Sequence, residues 1–209
     1  MIVELLIQVG PIVVVLLLII WLIGWLGSKR SKKLSMAAKN GWLISHIFFF
    51  IIYFSGLFAT LLLTIGSTYT TDPILMHTTH LYAKYSDWFL IIPGAFGCII
   101  TGVWLAVRTH WGLMNYYWVI AKTVGNVLSI AFGSYWMRVW YGKTIEFTKN
   151  GHFDFFHNAV YLESRQGLIY GSIGAILFLG YLVAISKFKP WGKRKKQKQI
   201  PTAVKPIMK

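Results

Sequence analysis

The chain has 209 residues, of which 56% are hydrophobic and only 13% charged, with a formal net charge of +15. A soluble domain carries about 25% charged residues, so this composition excludes an ordinary soluble enzyme and points to a polytopic, all-α membrane protein. The basic residues are not spread as on a nucleic-acid-binding face: five lie between Lys29 and Lys39 and nine between Lys187 and Lys209. Both groups abut apolar runs, as cytoplasmic loops and anionic lipid headgroups require, and nucleic acid is excluded as a partner.

A hydrocarbon core ~30 Å thick demands about 20 apolar residues per helical span, and five stretches satisfy this. The first runs from about Leu5 to Leu26. It lacks a basic leading segment and an A-x-A site, and Glu4 is acidic, so it reads as a retained helix and not a cleaved signal. The basic stretch SKRSKKLSMAAKN leads to the second span, about Gly41 to Gly66. The next segment, STYTTDPILMHTTHLYAKYSD, holds one basic residue, Lys84, and reads as an external loop. The third span, about Trp88 to Val107, ends on Arg108, and the turn THWGLMN opens the fourth, about Tyr116 to Val139. Residues 140–166 read as the longest external loop, with FDFFHNAVYL as a short interfacial helix. The fifth span, about Gly167 to Phe188, ends in the basic tail, expected to be disordered from Trp191 onward.

The resulting architecture is a four-helix transmembrane bundle with one additional N-terminal transmembrane helix. Residues 1–40 hold the first helix and basic loop, 41–188 the bundle and 189–209 the tail. With basic loops inside, the N-terminus lies outside and the C-terminus in the cytoplasm of a bacterial inner membrane. Polar and small residues collect at helix contacts in a membrane, and helical spacing picks out the inward stripes. They are His46, Tyr53, Thr60 and Thr64 in the second span, and Gly94, Gly97, Thr101, Trp104 and Arg108 in the third. In the fourth they are Lys122, Asn126, Ser129, Gly133 and Trp136; in the fifth, Gly167, Gly171, Gly174, Phe178 and Tyr181.

Ionisable residues inside a span are costly and mark candidate sites. His46 and Lys122 lie at matched depth, roughly 8 Å from the cytoplasmic ends of their helices at ~1.5 Å per residue, near Arg108 and His110. A neutral imidazole in a helical bundle is a standard haem-iron ligand. Phe49, Phe50, Tyr53, Trp104 and Trp118 are candidate porphyrin walls, and Arg108 or Lys122 a candidate propionate partner. On residues alone, an interhelical hydrogen bond from His46 and a snorkelling Lys122 explain the same pattern. A second candidate is a copper or zinc site built from His77, His80, His152 and His157 on the external side, whose spacings of three and five suit a metal. It would make the protein a non-enzymatic metal-tolerance or transport accessory. Cys98, the single cysteine, allows neither an intramolecular disulfide nor a thiolate cluster. Arg138 is expected to pair with Asp87 or Glu163. No nucleophile–base pair, phosphate loop or paired intramembrane carboxylate is present, which argues against hydrolase, nucleotide-driven and proton-pump activities.

The second span, GWLISHIFFFIIYFSGLFATLLL, resembles the opening helix of the membrane-embedded protoporphyrinogen oxidase of bacteria and its relatives. A histidine is followed there by an aromatic seven residues on and Gly-Leu-Phe ten residues on, which aligns His46, Tyr53 and Gly56-Leu57-Phe58. In WVIAK, Trp118 and Lys122 match that family's tryptophan-to-lysine spacing. PGAFGCIITGVWLAVRTHWGL looks like the third helix of a related, uncharacterised family of bacterial integral membrane proteins. Copper-resistance membrane proteins of the CopD kind share the helix pattern. The resemblance covers about Gly41 to Trp136. It implies a haem-b-type bundle, with His46 as iron ligand and Lys122 as the family's lysine, and an activity, if any, in electron transfer or porphyrinogen oxidation. The chain departs from the oxidase pattern at Tyr53, where tryptophan is usual, at Tyr135-Trp136, where a tyrosine–histidine pair is usual, and at TIGSTYTTD, which lacks the usual basic and histidine residues. The extra N-terminal helix points to the uncharacterised relatives. A redox partner and homo-oligomerisation are left open.

Overall fold

The computed structural model describes residues 2–149 and 157–194, with side chains from residue 7 onward. Seven α-helices are found among them: α1 (Ile2–Ser28), α2 (Met36–Gly66), α3 (Pro73–Ser86), α4 (Ile92–Arg108), α5 (Tyr117–Phe132), α6 (Arg138–Lys149) and α7 (Ala159–Phe188). One π-helical turn, Asp87–Ile91, joins α3 to α4, and another, Gly133–Met137, joins α5 to α6. Each pair therefore forms one long rod. The described residues contain no strand; only an isolated bridge links Tyr116 to Lys193.

The chain is an all-α, multi-pass membrane protein. Four helices are long and apolar enough to cross a membrane: Ile7–Ser28, Met36–Gly66, Pro73–Arg108 and Ala159–Phe188. The fifth expected span is a helix of ample length within the α5–α6 rod, but it is not among the four helices apolar enough to meet the same standard. It is nonetheless part of the bundle: α5 packs against α4 and α7, and α2 packs against α4 and α7. Helix α1 lies outside this group, its Leu16 and Ile20 packed on Ile99 and Val103 of α4.

Local sequence starts and stops the helices. Ser35 caps α2, its hydroxyl accepting from the Ala38 amide; Asp72 caps α3 ahead of Pro73; and Asn158 caps α7. Gly112, at φ +67°, makes the reversal between α4 and α5, a conformation that costs glycine least. Glycines set the closest contact, between α2 and α4. A Cβ on Gly94 would strike the Tyr53 backbone, one on Gly97 the Phe49 ring, and one on Gly56 Leu90 and Ile91.

The two expected external loops are largely helical where described. Residues 73–86 form α3, and the start of the longer loop, to Lys149, forms α6. Ala159–Leu162 of the expected interfacial helix is the first turn of α7; Phe153–Phe156 lies outside the described residues. At ~1.5 Å per residue, the 31 residues of α2 span about 46 Å, well beyond a ~30 Å hydrocarbon core. The far end of α2 thus joins α3, α6 and the start of α7 in a second set of packed helices. Their core is polar as well as apolar, holding Thr60, Thr64, His80, Tyr141, Thr144 and Tyr161.

The π-turns also shift the buried faces. A π-turn adds one residue to the helix, rotating everything beyond it by about 100°. The stripe through Lys122, Asn126, Ser129 and Gly133 therefore continues through Met137, Tyr141, Thr144 and Thr148, and the expected Trp136 is exposed. The stripe expected in α7 holds at Gly167 and Gly171, which meet Trp140, and fails beyond. Gly174, Phe178 and Tyr181 face outward, and Leu179, Leu182 and Ile185 form the core. Small residues face inward only where a large neighbour needs the space.

Candidate functional site

The bundle contains a cavity of about 380 Å³ near the end bearing the basic segments, between α2, α4, α5 and α7. That volume falls within the usual range for small-molecule pockets, about 300–1,000 Å³. Its walls bring together His46, Cys98, His110, Trp118, Lys122 and Asn126, with Lys39 and Lys189 also on the lining. Of the residues expected to bind a cofactor, His46, Lys122 and Trp118 thus share one space.

The imidazole of His46 is fixed in orientation. Its Nδ1 lies 2.8 Å from the Thr101 hydroxyl, whose own proton goes to the Gly97 carbonyl at 2.6 Å. A hydroxyl has a single proton to give, so His46 is the donor, and Nδ1 carries the hydrogen. That leaves Nε2 with a free lone pair and no hydrogen-bond partner among the described residues. Gly102 supports the ring from α4, where a Cβ would come within 3.1 Å of its Cε1. Lys122 enters from α5 and donates to the Ser186 hydroxyl of α7 at 3.1 Å. An ammonium has three donors, and this one bond is the only one Lys122 makes among the described residues.

The mouth is aromatic and basic. Trp111 meets Trp118 edge to face at 5.1 Å, His110 rests on Trp111 at 4.2 Å, and the Lys189 ammonium lies 4.3 Å over Trp111. The residues after α7 are held here, because the Arg194 amide donates to the Asn115 carbonyl at 2.8 Å. The expected disorder therefore does not begin at Trp191; the rest of that expectation, residues 195–209, lies outside the described residues.

Two expected site residues lie elsewhere. Arg108 is buried and donates to the carbonyls of Arg30 at 2.7 Å and Gly27 at 3.3 Å. It thereby holds the carboxyl end of α1, where a cation also suits the helix dipole. Tyr53, seven residues beyond His46 on α2, lines a second cavity further along the bundle. Of the other expected porphyrin walls, Phe49 packs on Gly97, Phe50 stacks on Phe54, and Trp104 lies between Trp42 and the two guanidinium groups of Arg30 and Arg108. The sequence reading missed Asn126, Cys98 and Lys189 as lining residues. Asn126 was legible, since it lies one turn from Lys122 on the same stripe.

Two of the external histidines already have partners within the fold. His77 Nδ1 lies 3.0 Å from the Thr148 hydroxyl, and His80 Nε2 lies 3.0 Å from the Tyr161 hydroxyl, which also meets Met76 Sδ at 3.0 Å. His80 is fully buried. No group of three or more His, Cys, Asp or Glu able to hold a metal occurs among the described residues, and His152 lies outside them. Arg138 forms no ion pair with Asp87 or Glu163; it lines the second cavity together with Asp87.

Comparison of the chain with family models, curated proteins and solved structures finds no match.

Proposed function

We propose that this protein binds haem in the His46–Lys122 cavity, near the cytoplasmic face of a bacterial inner membrane, as a redox or haem-handling component. The observation that carries this reading is the His46 ring: Nδ1 is held by Thr101, and Nε2 is left free on a cavity wall. An Nδ1–H hydrogen bond is what orients an imidazole and raises its basicity as a metal ligand.

The residues present fit a haem. The walls are mainly apolar, as a porphyrin needs, and Trp118 offers a flat surface. The acidic edge of the group finds Lys122 within the cavity and Lys39 and Lys189 on its lining, with no acidic residue among them. When bound, the group supplies one-electron chemistry at iron. The chain's own contributions are the imidazole donor, the ammonium charges and an enclosure that limits water.

An absorption spectrum of the purified protein, expressed with haem available, tests the reading. A Soret band that disappears in His46→Ala is the expected result, and its absence in the wild type defeats the proposal. Membrane orientation is part of the same reading. The basic residues at the ends of α1, α4 and α7 support a cytoplasmic location for that end of the bundle. Reporter fusions after Lys39 and after Lys196 should both give a cytoplasmic signal.

A further inference from the structure

A second cavity of about 490 Å³ lies further along the bundle axis, and both π-turns line it. It adjoins the first in sequence on both central helices: Ala95 and Ser129 face it, where Cys98 and Asn126 face the other. π-Turns inside α-helices occur frequently at functional sites, and here two neighbouring rods place one each against the same space.

Its polar groups divide into two kinds. Tyr141 is satisfied by the Thr60 hydroxyl at 2.9 Å, and Ser134 by the Ala131 carbonyl at 2.9 Å. Three others keep bonding capacity. The Ser129 hydroxyl is buried and makes no well-formed hydrogen bond among the described residues. Tyr53 is only 3% exposed, and its hydroxyl lies beside that of Ser129, near enough for a weak mutual bond at most. The Asp87 carboxyl has no hydrogen bond among the described residues. Buried polar groups are nearly always paired, and an unpaired one costs free energy. The Ser129 hydroxyl is such a group, and with the Tyr53 hydroxyl and the half-buried Asp87 carboxyl on the same lining the cavity suits a ligand with a polar edge.

The lining restricts what that occupant is. Two cations, Lys84 and Arg138, share the cavity with the single carboxyl of Asp87. The cations disfavour a cationic ligand and the carboxyl disfavours an anionic one, so a neutral molecule fits best. Hydroxyls that both donate and accept, beside a carboxyl that accepts, suit oxygens that are carbonyl or hydroxyl. The remaining wall is mostly apolar, with the aromatic side chains of Trp88, Phe96 and Phe132 suited to a flat ring. We propose that this second cavity is a binding site for a quinone or its quinol, with the Tyr53 and Ser129 hydroxyls donating to a ring oxygen and the Asp87 carboxyl accepting from the hydroxyl of the quinol form.

The site is distinct from the haem cavity and does not depend on it. The test uses the full-length protein in nanodiscs of phosphatidylcholine and phosphatidylglycerol made without quinone, titrated with decylubiquinone and followed by quenching of tryptophan fluorescence. One saturable equivalent per protein is expected, above the linear quenching given by empty discs. Ser129→Ala removes a hydroxyl that makes no well-formed bond within the protein, so it should fold normally and bind the probe several-fold more weakly. Ser129→Leu, which also fills space, should weaken binding tenfold or more, while His46→Ala leaves it unchanged. Purely linear quenching in the wild type overturns the proposal. So does wild-type affinity in a Ser129→Leu protein that elutes as a single species, and so does a loss of probe binding in His46→Ala, which would put the probe in the other cavity.

Discussion

The far end of the bundle and the cavity near its basic end both bury polar side chains, yet they treat them in opposite ways. At the far end, hydroxyls are consumed by neighbours. Thr60 meets Tyr141, Thr148 meets His77, and Thr64, Ser67, Thr144 and Ser164 each donate to carbonyls of their own helices. In the cavity, His46 spends only Nδ1 and Lys122 only one of its three donors. A polar group whose bonding is complete serves packing, whereas one that keeps capacity toward an open space is available to a ligand. The histidines differ in their surroundings: His80 is fully buried, with Nε2 held at the Tyr161 hydroxyl and Nδ1 without a partner among the described residues, whereas His46 is presented to a cavity.

That contrast is easiest to break at His46. His46→Ala should abolish the haem spectrum while the protein inserts and elutes as the wild type does, because the side chain's polar contacts among the described residues are confined to Thr101 and the Cys98 backbone. A smaller effect is expected one bond further out. Thr101→Val removes the acceptor that fixes the ring, and loss of such a supporting bond lowers affinity for a bound metal group by about 10–100-fold. A haem titration of the apoprotein measures it. Lys122→Met should retain the Soret band with a several-fold weaker affinity and a shifted reduction potential, since it removes a charge and not the ligand. Competition against a soluble haem-binding protein reads the first change and a spectroelectrochemical titration the second.

The far end should show the reverse pattern. Tyr141→Phe removes the bond to Thr60 and leaves that hydroxyl only the longer contact with the Ala83 carbonyl at 3.5 Å, at a cost of about 1 kcal/mol. Thermal unfolding of the detergent-solubilised protein should register that loss, while the haem titration is unchanged. Equal haem affinity in wild type and Thr101→Val, or weakened haem binding in Tyr141→Phe, would erase the distinction between the two regions.

Composition and helical periodicity by themselves determined that the chain is all-α and membrane-embedded, that α1 stands apart, and that His46 and Lys122 face inward. Those features rest on local patterns: runs of apolar residues, flanking lysines and a 3.6-residue repeat. The Asp72–Pro73 start of α3 was also legible, as a capping residue followed by proline at the first helical position. The tertiary structure alone decided what each polar residue does. Arg108 reads from sequence like a partner for an acidic ligand, and only the nearness of α1 turns it toward two carbonyls. Tyr53 lies on the same stripe as His46, but about 10 Å further along the axis at ~1.5 Å per residue, which puts it in the other cavity. The π-turns escaped periodicity for a physical reason. A single added residue moves the buried face by about 100°, and the neighbouring helices, not the local sequence, select where that residue is inserted.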